Sequence, residues 1–156
     1  MPHTSPTDGW TTCDLGHRHW GLAGAAGLLV HRTGPDGGVE ALLQHRVAWS
    51  HHGGTWGTPG GALQPAESPV DGALREAGEE LALTAAMLEL GAESVDDHGG
   101  WSYTTVLATP AGSWGPGDLE LNEESTGVAW VRLDAPAVPL HPGLAASLPT
   151  LRPLLR

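Results

Sequence analysis

The sequence predicts an α+β fold in which strands form a sheet layered against helices. The chain has 156 residues, about the length of one domain. Apolar runs typical of strands alternate irregularly with two helical segments, and there is no regular βαβ repeat of the kind that predicts a doubly wound sheet. Residues 1–17 are polar and rich in Thr, Pro and Gly, so we expect a flexible N-terminal arm before a single domain at 18–156.

The strands are predicted from apolar runs that are bounded by turn residues. A Gly-Pro-Asp-Gly-Gly cluster separates the first two, which are therefore expected to form a hairpin, and a glycine-rich loop follows them. The predicted strands cover residues 20–30, 39–47, 87–95, 101–109 and 128–133.

Two helices are predicted, and the first has the clearer signals. Ser68 is a suitable N-cap and Pro69 occupies the position where a helix best tolerates proline. Apolar residues then recur at steps of three and four and form one stripe, namely Val70, Ala73, Leu74, Ala77 and Leu81. The second helix is expected at 143–155, shortened or kinked by its prolines.

The first helix carries an unusual acidic cluster. Glu76, Glu79 and Glu80 are spaced to share one face, which we expect to be turned away from the apolar stripe. Arg75 can relieve their repulsion only in part, by pairing with Glu79 or with Glu67. A divalent cation with oxygen ligands would neutralise the cluster. The alternative is a solvated acidic surface.

Fixed spacing links the glycine loop to this helix. Five residues separate the last glycine from the first glutamate, and seven more precede an Arg-Glu pair. The residues of the pattern are Gly61, Glu67, Arg75, Glu76, Glu79, Glu80 and Leu83. The pattern resembles the signature of the Nudix hydrolase family, with Ala77 at its first aliphatic position and Ala82 in place of its final glycine. In all, residues 20–142 resemble a Nudix domain.

The resemblance implies a Nudix-type α/β/α sandwich with a mixed β-sheet, and a bound Mg²⁺ for which Mn²⁺ could substitute. Glu76 and Glu80 would be the principal ligands, with Glu79 a further one and the Gly60 carbonyl completing the shell. These three glutamates are therefore the first catalytic candidates. The ion would neutralise a diphosphate and promote attack by water.

The resemblance also implies positioning and substrate-binding residues. Glu67 and Arg75 would hold the helix and its loop together. The substrate-binding candidates are Arg75, Gly61 and Arg46, the last because it ends a strand close to the glycine loop. For Arg46 the alternative is an exposed charge at a strand end.

A catalytic base is expected in the late acidic loop. Members of the family often supply it from a glutamate a few residues before a late tryptophan, where this chain has Thr126 and Gly127. The role would then pass to Glu123 or Glu124. A solvated acidic loop is the alternative for either residue.

The predicted function is hydrolysis of a pyrophosphate bond in a small nucleotide. Nucleoside triphosphates, including deoxy and modified forms such as 8-oxo-dGTP, rank first, followed by ADP-ribose and nucleotide sugars. The alternative is a catalytically silent Nudix domain that binds a nucleotide and regulates another process. Such domains usually lose box acids, and here the acids are all present. An acidic protein-interaction domain would leave the fixed spacing unexplained.

The amino-acid composition of the chain disfavours some classes of binding partner. The net charge is −11, with seven Arg and no Lys, which disfavours duplex nucleic acid and anionic membranes. Cys13 is the single cysteine, and no signal sequence or membrane-length apolar run is evident, so a cytoplasmic location is expected. A homodimer is compatible with the resemblance, because many members of the family dimerise.

The histidines and tryptophans give weaker signals. Histidine pairs occur at His17 and His19 and at 51–52, but no cysteine or further histidine follows at zinc spacing, so solvated histidines are expected. One residue of the 51–52 pair is a candidate for contact with substrate. Trp20 and Trp130 are expected in the core. Trp49 and Trp101 flank loops, and for them core packing is favoured over stacking on a base.

Overall fold

The computed structural model describes residues 5–155. Within them the chain forms nine strands and two α-helices, with three short 3₁₀ turns at 85–87, 116–118 and 152–154. In chain order the elements are β1 (Trp10–Thr12), β2 (Arg18–Trp20), β3 (Ala25–Thr33), β4 (Val39–Arg46), β5 (Trp56–Gly57), β6 (Gly60–Ala62), α1 (Pro69–Leu81), β7 (Leu88–Asp97), β8 (Ser102–Pro110), β9 (Ser125–Arg132) and α2 (Pro142–Leu151).

Seven strands form one mixed sheet in the order β5-β4-β3-β8-β7, with β6 pairing to β3 and β9 to β4. The β3–β8 pair is parallel, whereas the other pairs in the sheet are antiparallel. The prediction of a mixed sheet is therefore confirmed. The predicted strand at 20–30 is wrong in one respect, because the chain turns between β2 and β3. Gly21 and Gly24 make this turn with φ angles of 109° and 90°, which favour glycine.

The two faces of the sheet carry separate cores, because successive strand residues point to opposite sides. Leu28 of β3 packs toward α1, and its neighbour Leu29 packs toward α2. The α1 side is filled mainly by Leu28, Val30, Leu42, Ala73, Ala77, Leu81 and Val106. The α2 side is filled mainly by Leu29, Leu43, Leu107, Val131, Leu144, Leu148 and Leu151. This arrangement confirms the α/β/α sandwich.

Helix α1 begins and ends through local interactions. The Ser68 side chain accepts a hydrogen bond of 3.1 Å from the Asp71 N–H, as expected for its N-cap. Ala82 ends the helix in the left-handed conformation at φ 57°. The Leu83 N–H then reaches back 3.3 Å to the Ala77 carbonyl. Ala82 thus adopts a conformation that the glycine of the Nudix signature would adopt without strain.

The N-terminal segment, which includes most of the predicted flexible arm, forms a short hairpin. Strand β1 pairs with β2, and Trp10 lies opposite Trp20. The Asp14 N–H donates to the Gly99 carbonyl at 2.8 Å, which ties this hairpin to the turn after β7. Residues 1–4 of the predicted arm lie outside the described part of the chain.

Two further sequence predictions are tested by the packing. Trp20 is 46% exposed, so its assignment to the core is wrong, whereas Trp130 packs against the α1 core as expected. Helix α2 continues through Pro149, which supplies no N–H to the helix, and a 3₁₀ turn follows the last residue of the helix. None of the helices described at 5–155 is both long and apolar enough to cross a bilayer.

Candidate active site

Glu80 lies at the centre of the acidic cluster and is buried, only 3% of its surface being exposed. Gln44 of β4 donates to its Oε1 at 2.8 Å, and the Gly60 N–H donates to its Oε2 at 3.0 Å. The expectation that all three glutamates share a solvent face is therefore wrong for Glu80. On α1 it is the neighbour of the apolar Leu81, and its side chain reaches the sheet, where it accepts the hydrogen bond from Gln44.

The Glu80 carboxylate is electrostatically uncompensated. Burial raises its pKa well above the ordinary value, and the charges of Glu76 and Glu124 raise it further, although the Gln44 hydrogen bond opposes them. Across residues 5–155 it forms no salt bridge with an arginine or histidine. A buried carboxylate normally requires such a partner. A hard divalent cation with oxygen ligands fits this donor set and would supply the missing charge.

Arg75 connects the loop to the helix. Its guanidinium donates to both carboxylate oxygens of Glu67, at 2.8 and 3.0 Å, and to the Ala62 carbonyl at 3.1 Å. It also contacts Glu76 at 3.0 Å and, less closely, Glu79 at 3.4 Å. The hydrogen bond from Arg75 lowers the pKa of Glu67. Arg75 contacts both of its expected partners, Glu67 and Glu79. Its bidentate pair with Glu67 is the closer of the two.

Glu76 and Glu79 have different surroundings. Burial is the main cause that raises the pKa of Glu76. A Cβ atom at Gly61 would lie 2.6 Å from Glu76 Oε1, so a larger residue there would displace the Glu76 carboxylate. The Glu79 side chain is 44% exposed. Glu76 and Glu80 therefore form the buried part of the cluster, and Glu79 lies at its edge.

The late acidic loop docks on the end of α1. The Asn122 N–H donates to the Glu80 carbonyl at 3.2 Å, and the Glu124 carbonyl accepts from the Val47 N–H at 3.0 Å. Glu124 lies close enough for its charge to raise the pKa of Glu80. Glu123 and Glu124 are both exposed. Of the two, Glu124 is the one whose charge acts on the buried Glu80.

A cavity of about 330 Å³ lies between the sheet and α2 and reaches the cluster at Gly60 and Gly61. Among its lining residues are Arg46, Gly60, Gly61, Trp101, Tyr103 and His141. Arg46 donates from its Nε to the His51 carbonyl at 3.1 Å, which turns the guanidinium toward the glycine loop. The cavity has the size and mixed apolar and polar lining of a small-molecule site.

Two ionisable groups in the cavity wall are held neutral. Burial raises the pKa of Tyr103 to about 12. Burial also lowers the pKa of His141 to about 4, helped by the charge of Arg46. The His141 Nδ1 accepts a hydrogen bond of 2.9 Å from the Gly143 N–H and so caps α2. The wall therefore presents these two uncharged rings near the Arg46 guanidinium.

Sequence reasoning missed three residues of this region. Gln44 is a polar residue at the end of the apolar run of β4. A polar residue in that position is a sequence signal from which Gln44 could have been predicted. Tyr103 and His141 gave no local signal, because each acquires its role only through strand pairing or helix docking. Trp101 was noted, and it lines the cavity with its Nε1 donating to the Gly21 carbonyl at 3.0 Å.

The fold and the site define a Nudix hydrolase, and the chain belongs to that family: the model of the NUDIX domain matches residues 22–151. It is similar over 93% of its length to a Mycobacterium tuberculosis protein named "Putative 8-oxo-dGTP diphosphatase 3", with 47% identity and 69% of that protein covered. A Nudix hydrolase crystal structure from M. smegmatis, RenU, superposes with a TM-score of 0.82 at 42% identity, covering 94% of both chains.

One further solved structure agrees on the fold, and one further relative matches over part of its own length. A Caenorhabditis elegans Ap4A hydrolase structure has a TM-score of 0.65 at 24% identity, covering 83% of this chain and 96% of that one. A Bifidobacterium longum fusion of a nucleoside triphosphate pyrophosphatase with a Nudix hydrolase is 44% identical over 83% of this chain but only 27% of its own length.

Proposed function

We propose that this chain is a Mg²⁺-dependent pyrophosphohydrolase of nucleoside triphosphates, with modified nucleotides such as 8-oxo-dGTP as the preferred class. The observation that carries the proposal is the buried, uncompensated carboxylate of Glu80 beside Glu76, which accepts a hydrogen bond from Gly60, a residue that also lines the cavity of about 330 Å³. The name of the M. tuberculosis relative supports the modified nucleotide as the first substrate to test. ADP-ribose and nucleotide sugars rank next.

The metal ligands follow from the same arrangement. Glu76 and Glu80 would hold the ion, with exposed Glu79 as a further ligand and the Gly60 carbonyl beside them; Mn²⁺ would fit the same oxygen donors. When bound, Mg²⁺ neutralises the diphosphate and lowers the pKa of an attacking water. Gln44 and the Gly60 N–H hold the Glu80 carboxylate in one orientation.

The remaining residues have distinct roles in this proposal. Glu124 is the better candidate for the base, because both glutamates are exposed but the charge of Glu124 acts on Glu80. Arg46 would contact a phosphate at the cavity mouth, and Gly61 would let the substrate approach the backbone closely. Arg75 acts as a positioning residue, since its guanidinium already bonds to Glu67 and the Ala62 carbonyl.

The test is a Mg²⁺ titration of hydrolysis over 8-oxo-dGTP, the ordinary nucleoside triphosphates, ADP-ribose and nucleotide sugars. Wild type is assayed beside Glu80→Gln and Glu124→Gln. We expect turnover that requires Mg²⁺ and collapses in Glu80→Gln, with 8-oxo-dGTP giving the highest kcat/KM. Folded wild-type protein that binds a nucleotide without hydrolysing it would contradict the proposal and support a silent regulatory domain instead.

A further inference from the structure

A second group of metal-binding side chains lies at the far side of the cavity from the acidic cluster. Cys13, His17, His19 and His98 each offer one ligand atom, and these atoms all lie within 4.8 Å of one another. The first three belong to the β1–β2 hairpin, and His98 belongs to the turn between β7 and β8. Spacing along the chain gave no zinc pattern, because Cys13 and His98 meet only when the hairpin docks on this turn.

His98 is oriented as a metal ligand before any ion binds. Its Nε2 lies 2.9 Å from Asp96 Oδ2, and its Nδ1 lies 3.9 Å from Cys13 Sγ. Histidines that bind metals commonly donate their other ring N–H to a carboxylate, which fixes both the tautomer and the ring orientation. The Asp96 carboxylate supplies this support, and it leaves Nδ1 free to face the thiol.

His19 provides an independent observation. Its ring stacks on Trp101 with the centroids 3.8 Å apart and the planes nearly parallel. Its Nε2 is buried and has no hydrogen-bond partner within residues 5–155. Buried polar nitrogens in folded proteins almost always have a partner. A bound ion beside the three other donors would be that partner.

The thiol of Cys13 is suited to the same role. The residue is only 5% exposed and is not needed for a disulfide. The thiolate is the form that binds metals.

We propose that Cys13, His17, His19 and His98 form a structural zinc site. Three imidazoles and one thiolate make a complete tetrahedral set for Zn²⁺, and four protein ligands leave no open position for catalysis. Tetrahedral ligands at zinc distances lie about 3.3–3.6 Å apart, so the group must contract by roughly 1 Å. The soft thiolate favours Zn²⁺ here, while the carboxylates of the box favour Mg²⁺.

The zinc would clamp the N-terminal hairpin to the β7–β8 turn. His19, His98 and Trp101 line the cavity, so the clamp also fixes one wall of the proposed substrate site. The only direct backbone link described between the two segments here is the Asp14–Gly99 hydrogen bond. The proposal depends on these contacts and not on the hydrolytic activity.

The first test measures zinc stoichiometry and Co²⁺ absorption of the whole protein in excess Mg²⁺, which occupies the box. Wild type should bind one Zn²⁺, and Co²⁺ should give tetrahedral bands with a thiolate charge-transfer band. Glu80→Gln and His51→Asn should behave like wild type. Cys13→Ser should lose the charge-transfer band and at least about tenfold in affinity. Unchanged binding by Cys13→Ser, or binding lost in Glu80→Gln, would overturn the proposal.

Two further measurements cover the case in which Cys13→Ser does not fold. Asp96→Asn should keep the charge-transfer band but weaken Zn²⁺ binding by about 10- to 100-fold, since only the support of His98 is removed. In wild type, Zn²⁺ should slow amide hydrogen exchange at residues 10–20 and in the turn at 98–101. If zinc binds but exchange in these segments is not slower, the clamp is refuted. If Asp96→Asn binds Zn²⁺ as tightly as wild type does, the ligand role of His98 is refuted.

Discussion

The two faces of the sheet place their chemistry in different ways. On the α1 face, the acidic cluster comes from one continuous stretch, residues 60–80, and Arg75 ties its loop to its helix. The cavity beside α2 is lined by residues as distant along the chain as His19 and His141, and the Cys/His group joins Cys13 to His98, which lies 85 residues away. Local spacing therefore encodes the first site, whereas docking of distant segments builds the second.

The largest expected effect comes from Glu80→Gln, which alters the acidic cluster on the α1 face. Hydrolysis should fall by about 100-fold or more, because roughly 3 kcal/mol of metal-dependent stabilisation is lost. Glu79→Gln is the matched control, and it should lose about tenfold or less, since Glu79 is half exposed at the edge of the cluster. Steady-state kinetics with saturating Mg²⁺ measures both. Equal losses in the two variants would contradict the distinction between buried and exposed acids.

The connection within the α1 face is tested by Arg75→Lys. Lysine cannot reproduce the bidentate bond to Glu67 together with the bond to the Ala62 carbonyl, so the free energy of unfolding should fall by about 2 kcal/mol. Chemical denaturation provides the measurement. Arg132→Lys, which alters pairs with Asp36 and Asp134 at the surface, should lower the free energy of unfolding much less, because solvent screens these pairs. A similar cost for both variants would show that Arg75 is not a special link.

The α2 face should respond to pH through His141. Its pKa is lowered to about 4 in the folded protein, so between pH 6.5 and 4 the unfolded chain binds more protons than the folded one. Stability from this group is thus present above pH 6.5 and is lost as the pH falls toward 4. His141→Asn should keep the helix cap, because asparagine is a good N-cap residue. The variant should lose less stability on acidification than wild type does, with a difference in the free energy of unfolding of about 1 kcal/mol at pH 4. An unchanged slope in stability measured from pH 7 to 4 would exclude His141 as its source.

The smallest expected effects are changes in the free energy of unfolding from one glycine substitution in each helix. Ala82→Gly should raise the free energy of unfolding by about 0.5–1 kcal/mol, because it relieves the left-handed conformation at the end of α1. Ala145→Gly, at an exposed position inside α2, should lower it by about 1 kcal/mol. Thermal unfolding of both variants gives the signs. A loss of stability in Ala82→Gly would mean that the left-handed alanine carries no strain.

Much of the fold could be predicted from local patterns. The cap at Ser68, the apolar stripe and the fixed spacing up to Glu80 predict α1 and its loop, since each interaction joins residues close along the chain. The hairpin of β3 and β4 follows from its glycine turn in the same way. The parallel pairing of β3 with β8 has no such signal, because about 75 residues separate the paired positions.

By itself, the sequence predicted α1 from its cap and apolar stripe, and its resemblance to the Nudix signature identified the family and singled out Glu76, Glu80 and Arg75 as candidates. Only the tertiary structure decided that Glu80 is buried against Gln44, and that Glu124 rather than Glu123 approaches it. It also decided that Cys13 meets His98. Such contacts depend on how strands pair and helices dock, and sequence spacing carries no record of those distances.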